Sequence, residues 1–333
     1  MEVTSRTLEM PSKTGTSSNL TADPVRKRFY LFGFPISHSA SPAFHNLIFN
    51  ELGTDFTYEL YDVEDIGKSG MLDVIRSETF GGSSVTMPIK VTVMNHLDRV
   101  TPEGRAIGSC NTIFLDTSSG RTELVGTNFD WIGIRNALQS AESPSTPLNS
   151  SSPRPTFIVG GGGTARAAVY ALSQLNLSPI YLINRDDSEI EALIKQFPQF
   201  DLRPLKTVEE LDNIRDDFPC GVGSIPSMEP VTREEKQVYA VAERIFARQK
   251  TGVFLDMCYK PRYTILLSIA DKAGWKIVEG MEAMIHQALA QSRQWMLNGK
   301  GTLPEDIEAK AAALVRSMGD ITPKASDARA QKL

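Results

Sequence analysis

Lys90 and Asp130 are the two residues of this chain whose types and settings suit proton transfer. Ser84-Val85-Thr86-Met87-Pro88-Ile89-Lys90 reads as a strand, Ser84 to Met87, running into a helix that Pro88 opens, with Val91, Met94 and Leu97 on its apolar face. Lys90 then falls in the first turn, where the macrodipole disfavours a cation, the direction that suits a lysine working as general acid and base. Asp130 follows Gly126-Thr127-Asn128-Phe129 at a predicted helix start, where the dipole favours the ionised carboxylate. Ends of parallel strands share one edge of a sheet, so the two can meet there. On these residues alone a solvated lysine and an ordinary N-terminal aspartate remain open readings.

Two further clusters suit anions. In Gly33-Phe34-Pro35-Ile36-Ser37-His38-Ser39-Ala40-Ser41-Pro42 the hydroxyls of Ser39 and Ser41 precede the free N–H groups of a helix start, a seat for a small carboxylate. The plainer reading is that Ser41 is the N-cap and Pro42 the first helical residue. Phe157-Ile158-Val159 is an apolar strand followed by Gly160-Gly161-Gly162-Gly163 and a helix from Thr164-Ala165, whose Ala165, Ala168, Val169, Leu172 and Leu175 share one face. Glycines at such a turn let the backbone approach a pyrophosphate, and the helix N-terminus supplies donors, so this segment predicts dinucleotide binding. The next strand ends in Asn184-Arg185-Asp186-Asp187. An acid there takes the ribose hydroxyls of NAD, and an arginine takes the 2′-phosphate of NADP. Two consecutive carboxylates repel a phosphate, which favours NAD with NADP as the alternative.

The elements that must position these residues follow an alternating rhythm. Strands are predicted at Phe29–Phe34, Phe56–Val63, Asn111–Leu115 and Leu124–Thr127, with helices from Ser41 to Gly53, around Met71–Ser77 and from Asp130 to Gln139. Ser143 to Pro155 is a Ser/Pro-rich loop, and a second series of strands runs from Thr156 to Val278. Helices from Met281 to Leu297 and from Pro304 to Ser317 close the chain. The fold class is two-domain α/β, with a largely parallel sheet in each half.

The chain has 333 residues, 41% hydrophobic and 23% charged, and carries 35 basic against 40 acidic side chains, a net charge of −5. That composition excludes a disordered chain and argues against a nucleic-acid or anionic-membrane binder. Three scattered cysteines make no disulfide framework, and the four histidines lack metal-ligand spacing, so no metal is expected. There is no GxSxG elbow and no P-loop. Residues 1–24 and 319–333 read as polar tails, and a cytoplasmic monomer or homodimer is expected. The ending Gln331-Lys332-Leu333 lies one residue from a Ser-Lys-Leu peroxisomal address.

Taken in order, these motifs resemble the shikimate/quinate dehydrogenase family from about Phe29 to Leu297. Gly33-x-Pro35-Ile36-x-His38-Ser39-x-Ser41-Pro42-x-x-His45-Asn46 is similar to its substrate-carboxylate motif. Ser84-Val85-Thr86-Met87-Pro88-x-Lys90 is similar to its catalytic-lysine segment, and Asn128-Phe129-Asp130-x-x-Gly133 to its aspartate motif. Cys110-Asn111-Thr112, Tyr259-x-Pro261-x-x-Thr264 and Met284-Ile285-His286-Gln287-Ala288 match further segments. The resemblance implies that Lys90 and Asp130 are catalytic. It implies that Ser39, Ser41, Thr86, Asn111, Gln287 and Tyr259 hold a cyclic hydroxy acid, shikimate or quinate. The candidate cofactor contacts are Gly160, Gly161, Gly162, Gly163, Thr164, Ala165, Asn184, Arg185, Asp186 and Gly280. The implied units are a substrate domain over 25–129, completed by helices within 281–318, and a Rossmann-like dinucleotide domain over 130–280. The implied reaction is reversible hydride transfer between NAD(P) and the carbinol carbon. Phe129 stands where the family has Thr, Ser84 where Asn is common, and Gly223-Ser224-Ile225-Pro226 replaces a usual Asn-containing turn. Asp186 suits the NAD-using quinate/shikimate branch. A same-scaffold oxidoreductase on another hydroaromatic acid and a ligand-sensing regulator are the alternatives.

Overall fold

The computed structural model describes residues 26–142, 147–148, 151–249 and 251–318. Both predicted tails, the C-terminal tripeptide and part of the Ser/Pro-rich loop lie outside these residues. β1 (Arg28–Gly33) is a continuous apolar run buried from Phe29 onward, as expected of a strand covered on both faces. It lies between β2 (Thr57–Asp62) and β3 (Phe80–Val85), parallel to both. The first sheet continues through β5 (Thr112–Asp116) and β6 (Glu123–Thr127) to the short β4 (Arg99–Val100), in the order β2-β1-β3-β5-β6-β4. The sheet is largely parallel, as expected, with β5 alone reversed: it pairs antiparallel with β3 and β6, and a tight turn through Gly120 (φ +82°) folds it directly back into β6.

Helices α1 (Ser41–Glu51), α2 (Met71–Ile75), α3 (Pro102–Ile107) and α4 (Asp130–Ser140) follow the strands. Two local expectations are corrected. α1 begins at Ser41 itself, and the hydroxyl that accepts the Ser41 amide is that of Ser39, at 3.2 Å, so Ser41 is not the N-cap. No helix starts at Pro88. Pairing with β1 draws the third strand back to Phe80–Val85, and residues 87–91 turn before a 3-10 helix at Thr92–His96. The Lys90 carbonyl accepts the Cys110 amide at 2.7 Å instead of continuing a helical ladder, and Val91 is exposed rather than on an apolar face.

The second sheet is built from β7 (Arg154–Val159), β8 (Leu177–Ile183), β9 (Leu202–Pro204), β10 (Cys220–Gly223), β11 (Val253–Asp256) and β12 (Lys276–Glu279). All its pairings are parallel and its order is β12-β11-β10-β7-β8-β9. Counted within this sheet, the third, second and first strands are followed by the fourth, fifth and sixth, the doubly wound dinucleotide-binding order. α5 (Gly163–Gln174) presents Ala165, Ala167, Ala168 and Ala171 to the core, all fully buried, so it packs close to the sheet. α6 (Asp187–Gln196), α7 (Val208–Asp212), α8 (Arg233–Arg248) and α9 (Ile265–Lys272) complete the layers.

α10 (Gly280–Leu297) returns to the first sheet, and α11 (Glu305–Ser317) packs on α1 and α10. α4 and α10 form the wall between the two sheets. They approach so closely at Gly133 that an added Cβ would lie 2.4 Å from the Ala283 carbonyl oxygen and 3.1 Å from Gln287 Cβ. Ile134 and Leu138 of α4 are fully buried in the core of the second sheet, worth about 2 kcal/mol each. The wall that carries Asp130 and Gln287 is thereby fixed to both halves.

Candidate active site

Lys90 and Asp130 meet: Lys90 Nζ donates to Asp130 Oδ2 at 2.6 Å, with the side chains 15% and 10% exposed. Lys90 owes this setting to the turn after β3 and to its partner, not to a helix dipole. Asp130 is the first residue of α4, and its amide donates to Asn128 Oδ1 at 2.9 Å. Asn128 is anchored in turn by the Ser109 carbonyl and hydroxyl. The second oxygen of Asp130 accepts from Asn111 Nδ2 at 2.8 Å, and the same Nδ2 reaches Gln287 Oε1 at 3.2 Å. Lys90, Asp130, Asn111 and Gln287 therefore form one cluster from four separate parts of the chain.

Tyr259, on the loop after β11, sits against this cluster and against Ser39. Burial pushes its hydroxyl up to about 12, the nearby Cys258 thiol and Asp130 carboxylate add to the rise, and the Ser39 hydroxyl opposes it. Ser41 faces Tyr58 of β2, whose hydroxyl is raised by burial and eased by Ser84 and Ser41. Cys110, beside Lys90 and Asp130, is pushed up to about 12 by burial and stays a thiol. Thr86 lies between β3 and Lys90 with its methyl packed against Gly33, where no Cβ would fit. It is partly exposed and stands at the rim of the cluster rather than within its hydrogen bonds.

The glycine loop lies at the switch point of the second sheet, between β7 and β10. Gly160 has φ +125° and needs to be glycine, since a Cβ there would meet Ser224 Oγ at 2.3 Å. Gly161 is crowded by Glu189 and Asn184, whereas nothing lies within 4 Å of a Cβ built on Gly162 or Gly163. No side chain caps α5, so its first amides face that open space. This is the cradle a pyrophosphate fits. Thr164 stands in the first turn, and Ala165 is fully buried, so it can offer a cofactor only its amide. Arg166, half-buried in the same turn, is a cation that the sequence reading passed over.

The acid pair after β8 is otherwise engaged. Asp186 Oδ1 accepts from the Ser188 amide and hydroxyl as the α6 cap, and Asp187 pairs with Lys206 at 2.7 Å. Asn184 Nδ2 donates to Glu189 Oε2 at 2.6 Å. Arg185 pairs with Glu235 while its side chain stays 61% exposed. Gly280 is glycine for packing: a Cβ would lie 2.6 Å from the Asp256 carbonyl oxygen. Among the described residues no three His, Cys, Asp or Glu side chains gather as a metal site, and no helix is long and apolar enough to cross a membrane.

Residues 31–113 match the family described as the shikimate dehydrogenase substrate binding domain. The chain is 36% identical over 269 residues to the pentafunctional AROM polypeptide of Pneumocystis carinii, which covers 81% of this chain and 17% of that polypeptide. The S. pombe AroM structure of dehydroquinate dehydratase and shikimate dehydrogenase superposes with TM-score 0.70 at 31% identity, covering 87% of this chain and 53% of that one. The chain thus spans about a sixth and about half of these two relatives. Shikimate 5-dehydrogenase of Thermus thermophilus, solved with NADP(H) and shikimate, gives TM-score 0.67 at 28% identity over 87% of this chain and 99% of that one. With this substrate-domain match laid over two α/β halves that agree with those relatives along most of the chain, the protein resembles the shikimate dehydrogenases in both sequence and fold.

Proposed function

We propose that this chain interconverts shikimate and 3-dehydroshikimate by hydride transfer to and from a nicotinamide dinucleotide, with Lys90 and Asp130 as its acid/base pair. The observation that carries the reading is the Lys90–Asp130–Asn111–Gln287 cluster, with a carboxylate seat on one side and an open glycine cradle on the same chain. The proposed units are 25–129 with helices in 281–318 for the acid and 130–280 for the cofactor. The bound dinucleotide supplies the hydride acceptor or donor. Ser39 and Ser41 take the substrate carboxylate, with Tyr259 completing the seat and Thr86 at a ring hydroxyl. Asn111 and Gln287 hold the ring, and fixing it against the cluster shortens the path to reaction. In oxidation Lys90 works as the neutral amine: Nζ takes the hydroxyl proton and becomes the ammonium, and in reduction the ammonium returns that proton. Asp130 orients Nζ and stabilises the ammonium.

For the cofactor we propose NADP(H). Arg185, paired with Glu235 on one side, still presents a guanidinium that is 61% exposed after β8, while Asp186 and Asp187 are committed to a helix cap and an ion pair. The Thermus relative holds NADP(H). NAD remains the second reading, favoured by the negative charge of that same pair.

The test is the initial rate of reduced-nicotinamide formation with shikimate or quinate, each with NADP or NAD. Turnover of shikimate with NADP is the expected result. A rate with quinate alone would transfer the function to that acid. Arg185→Ala should raise the KM for NADP several-fold more than that for NAD; equal effects would remove the cofactor reading. No rate in any combination, from folded protein, would overturn the proposal.

A further inference from the structure

Behind the cluster lies a second set of polar side chains that the proposed chemistry does not use. Gln291 sits one helical turn beyond Gln287 on α10 and is 1% exposed. Its Oε1 accepts from Ser84 Oγ at 2.9 Å, and its Nε2 donates to Thr112 Oγ1 at 2.9 Å and to the Asn111 carbonyl at 3.3 Å. Ser84 accepts from the Tyr58 hydroxyl at 2.7 Å. Thr112 donates to Asn111 Oδ1 at 2.7 Å, and Asn111 donates to Asp130. Tyr58, Ser84, Gln291, Thr112, Asn111 and Asp130 thus form five successive hydrogen bonds, every one pointing toward Asp130.

Two backbone groups fix that direction. The Phe129 amide can only donate, and it reaches Asn111 Oδ1 at 2.7 Å, so Asn111 Nδ2 must face Asp130. The Asn111 carbonyl can only accept, so Gln291 Nε2 must face it. Each hydroxyl carries one proton, and Thr112 gives its own to Asn111 Oδ1 while accepting an N–H from Gln291. Both Asn111 N–H groups are then spent, one on Asp130 and one on Gln287 Oε1, which leaves the Gln287 amino group to face a ligand.

We infer that Gln291 is a positioning residue for the reaction: through Thr112 and the Asn111 carbonyl it holds Asn111 in the orientation that the Phe129 amide sets, and so steadies the Lys90–Asp130 pair. The chain also joins the carboxylate seat to the acid/base pair, because its first member, Tyr58, faces Ser41. The inference rests on the function proposed above and deepens it.

The groups facing Asp130 and Lys90 are the Cys110 thiol and the Tyr259 hydroxyl, each pushed up to about 12 by burial. His45, facing Gln291, is held neutral by burial down to about 3, and Tyr58 is raised by burial. The experiment compares Gln291→Met, which keeps length but removes both polar groups, with Thr112→Val, which removes one hydroxyl, and records the kcat–pH profile of shikimate oxidation for the parent and each variant. Each should lower kcat on the order of tenfold, displace that profile and leave the cofactor KM within about twofold. In the untouched protein, the side-chain amide protons of Asn111 and Gln291 should exchange with solvent at least a hundredfold more slowly than those of exposed Asn298. Unchanged kcat and unchanged profile in a folded variant, or amide exchange as fast as at Asn298, would overturn the inference. If the parent protein turns over neither acid, the functional proposal fails, and the exchange measurement still decides the chain.

Discussion

Replacing Lys90 by methionine separates charge from packing. The thioether keeps the length and much of the apolar stem of the lysine, so the turn after β3 retains its contacts. The ammonium is lost, and Asp130 Oδ2 loses its 2.6 Å partner, while Oδ1 keeps the Asn111 donor. Breaking a fully buried ion pair costs about 3–5 kcal/mol. Here the side chains keep 15% and 10% of their exposure, and one carboxylate oxygen stays paired, so we expect a loss of about 2 kcal/mol. Removal of a positioned general acid/base slows reaction by roughly 10²–10⁴-fold, or about 3–5 kcal/mol in the barrier. Ser39 and Ser41 are untouched, so the KM for shikimate should stay within about threefold. The assays are initial rates under saturating cofactor, together with thermal unfolding and dinucleotide binding. A kcat within threefold of the parent, or a loss that merely tracks the unfolded fraction, would refute the assignment of Lys90.

Three further outcomes follow from the same geometry. Gly162→Asp should raise stability by about 0.5 kcal/mol, because an aspartate there can cap α5, yet raise the KM for the cofactor tenfold or more by filling the anion cradle with a carboxylate; thermal unfolding and rates read the two effects. Gly133→Ala should cost about 1–3 kcal/mol, since its methyl would press the Ala283 carbonyl, and should raise the KM for the acid by displacing Gln287, a pair of effects seen by unfolding and kinetics. Asp256, buried at the end of β11, is raised to about 6 by desolvation, with Thr264 and the Cys258 amide opposing the rise. Between pH 4 and about 6 the folded chain binds the extra proton, so this residue makes stability fall as pH rises, by about 3 kcal/mol in all. His45, neutral when folded down to about 3, acts with the opposite sign, losing stability as pH falls below about 6.5. Asp256→Asn should therefore unmask the His45 slope, so that denaturant unfolding between pH 4 and 6 shows stability rising with pH more steeply than in the parent.

Much of the site was legible because its signals are local. A glycine run between an apolar strand and an alanine-rich helix face announces the cradle within a dozen residues, and the structure leaves Gly162 and Gly163 open. Lys90 and Asp130 both lie beyond strand ends, which brings them within reach of each other, although the lysine stands in a turn and not in a helix. Pro88 permits a helix start without requiring one, and strand pairing to β1 decides where β3 ends. For the acids after β8, sequence shows their charge but not the Ser188 and Lys206 groups that engage them.

The sequence by itself determined which chemical groups are available and which short segments present them, since strand, turn and helix signals act over a few residues. The tertiary structure alone decided their partners. Tyr58, Ser84, Thr112 and Gln291 are separated by up to 233 positions, and only the packing of α10 on the first sheet brings them into one directed chain. Buried polar atoms must find partners wherever the fold places them, and that requirement is met in three dimensions rather than along the chain.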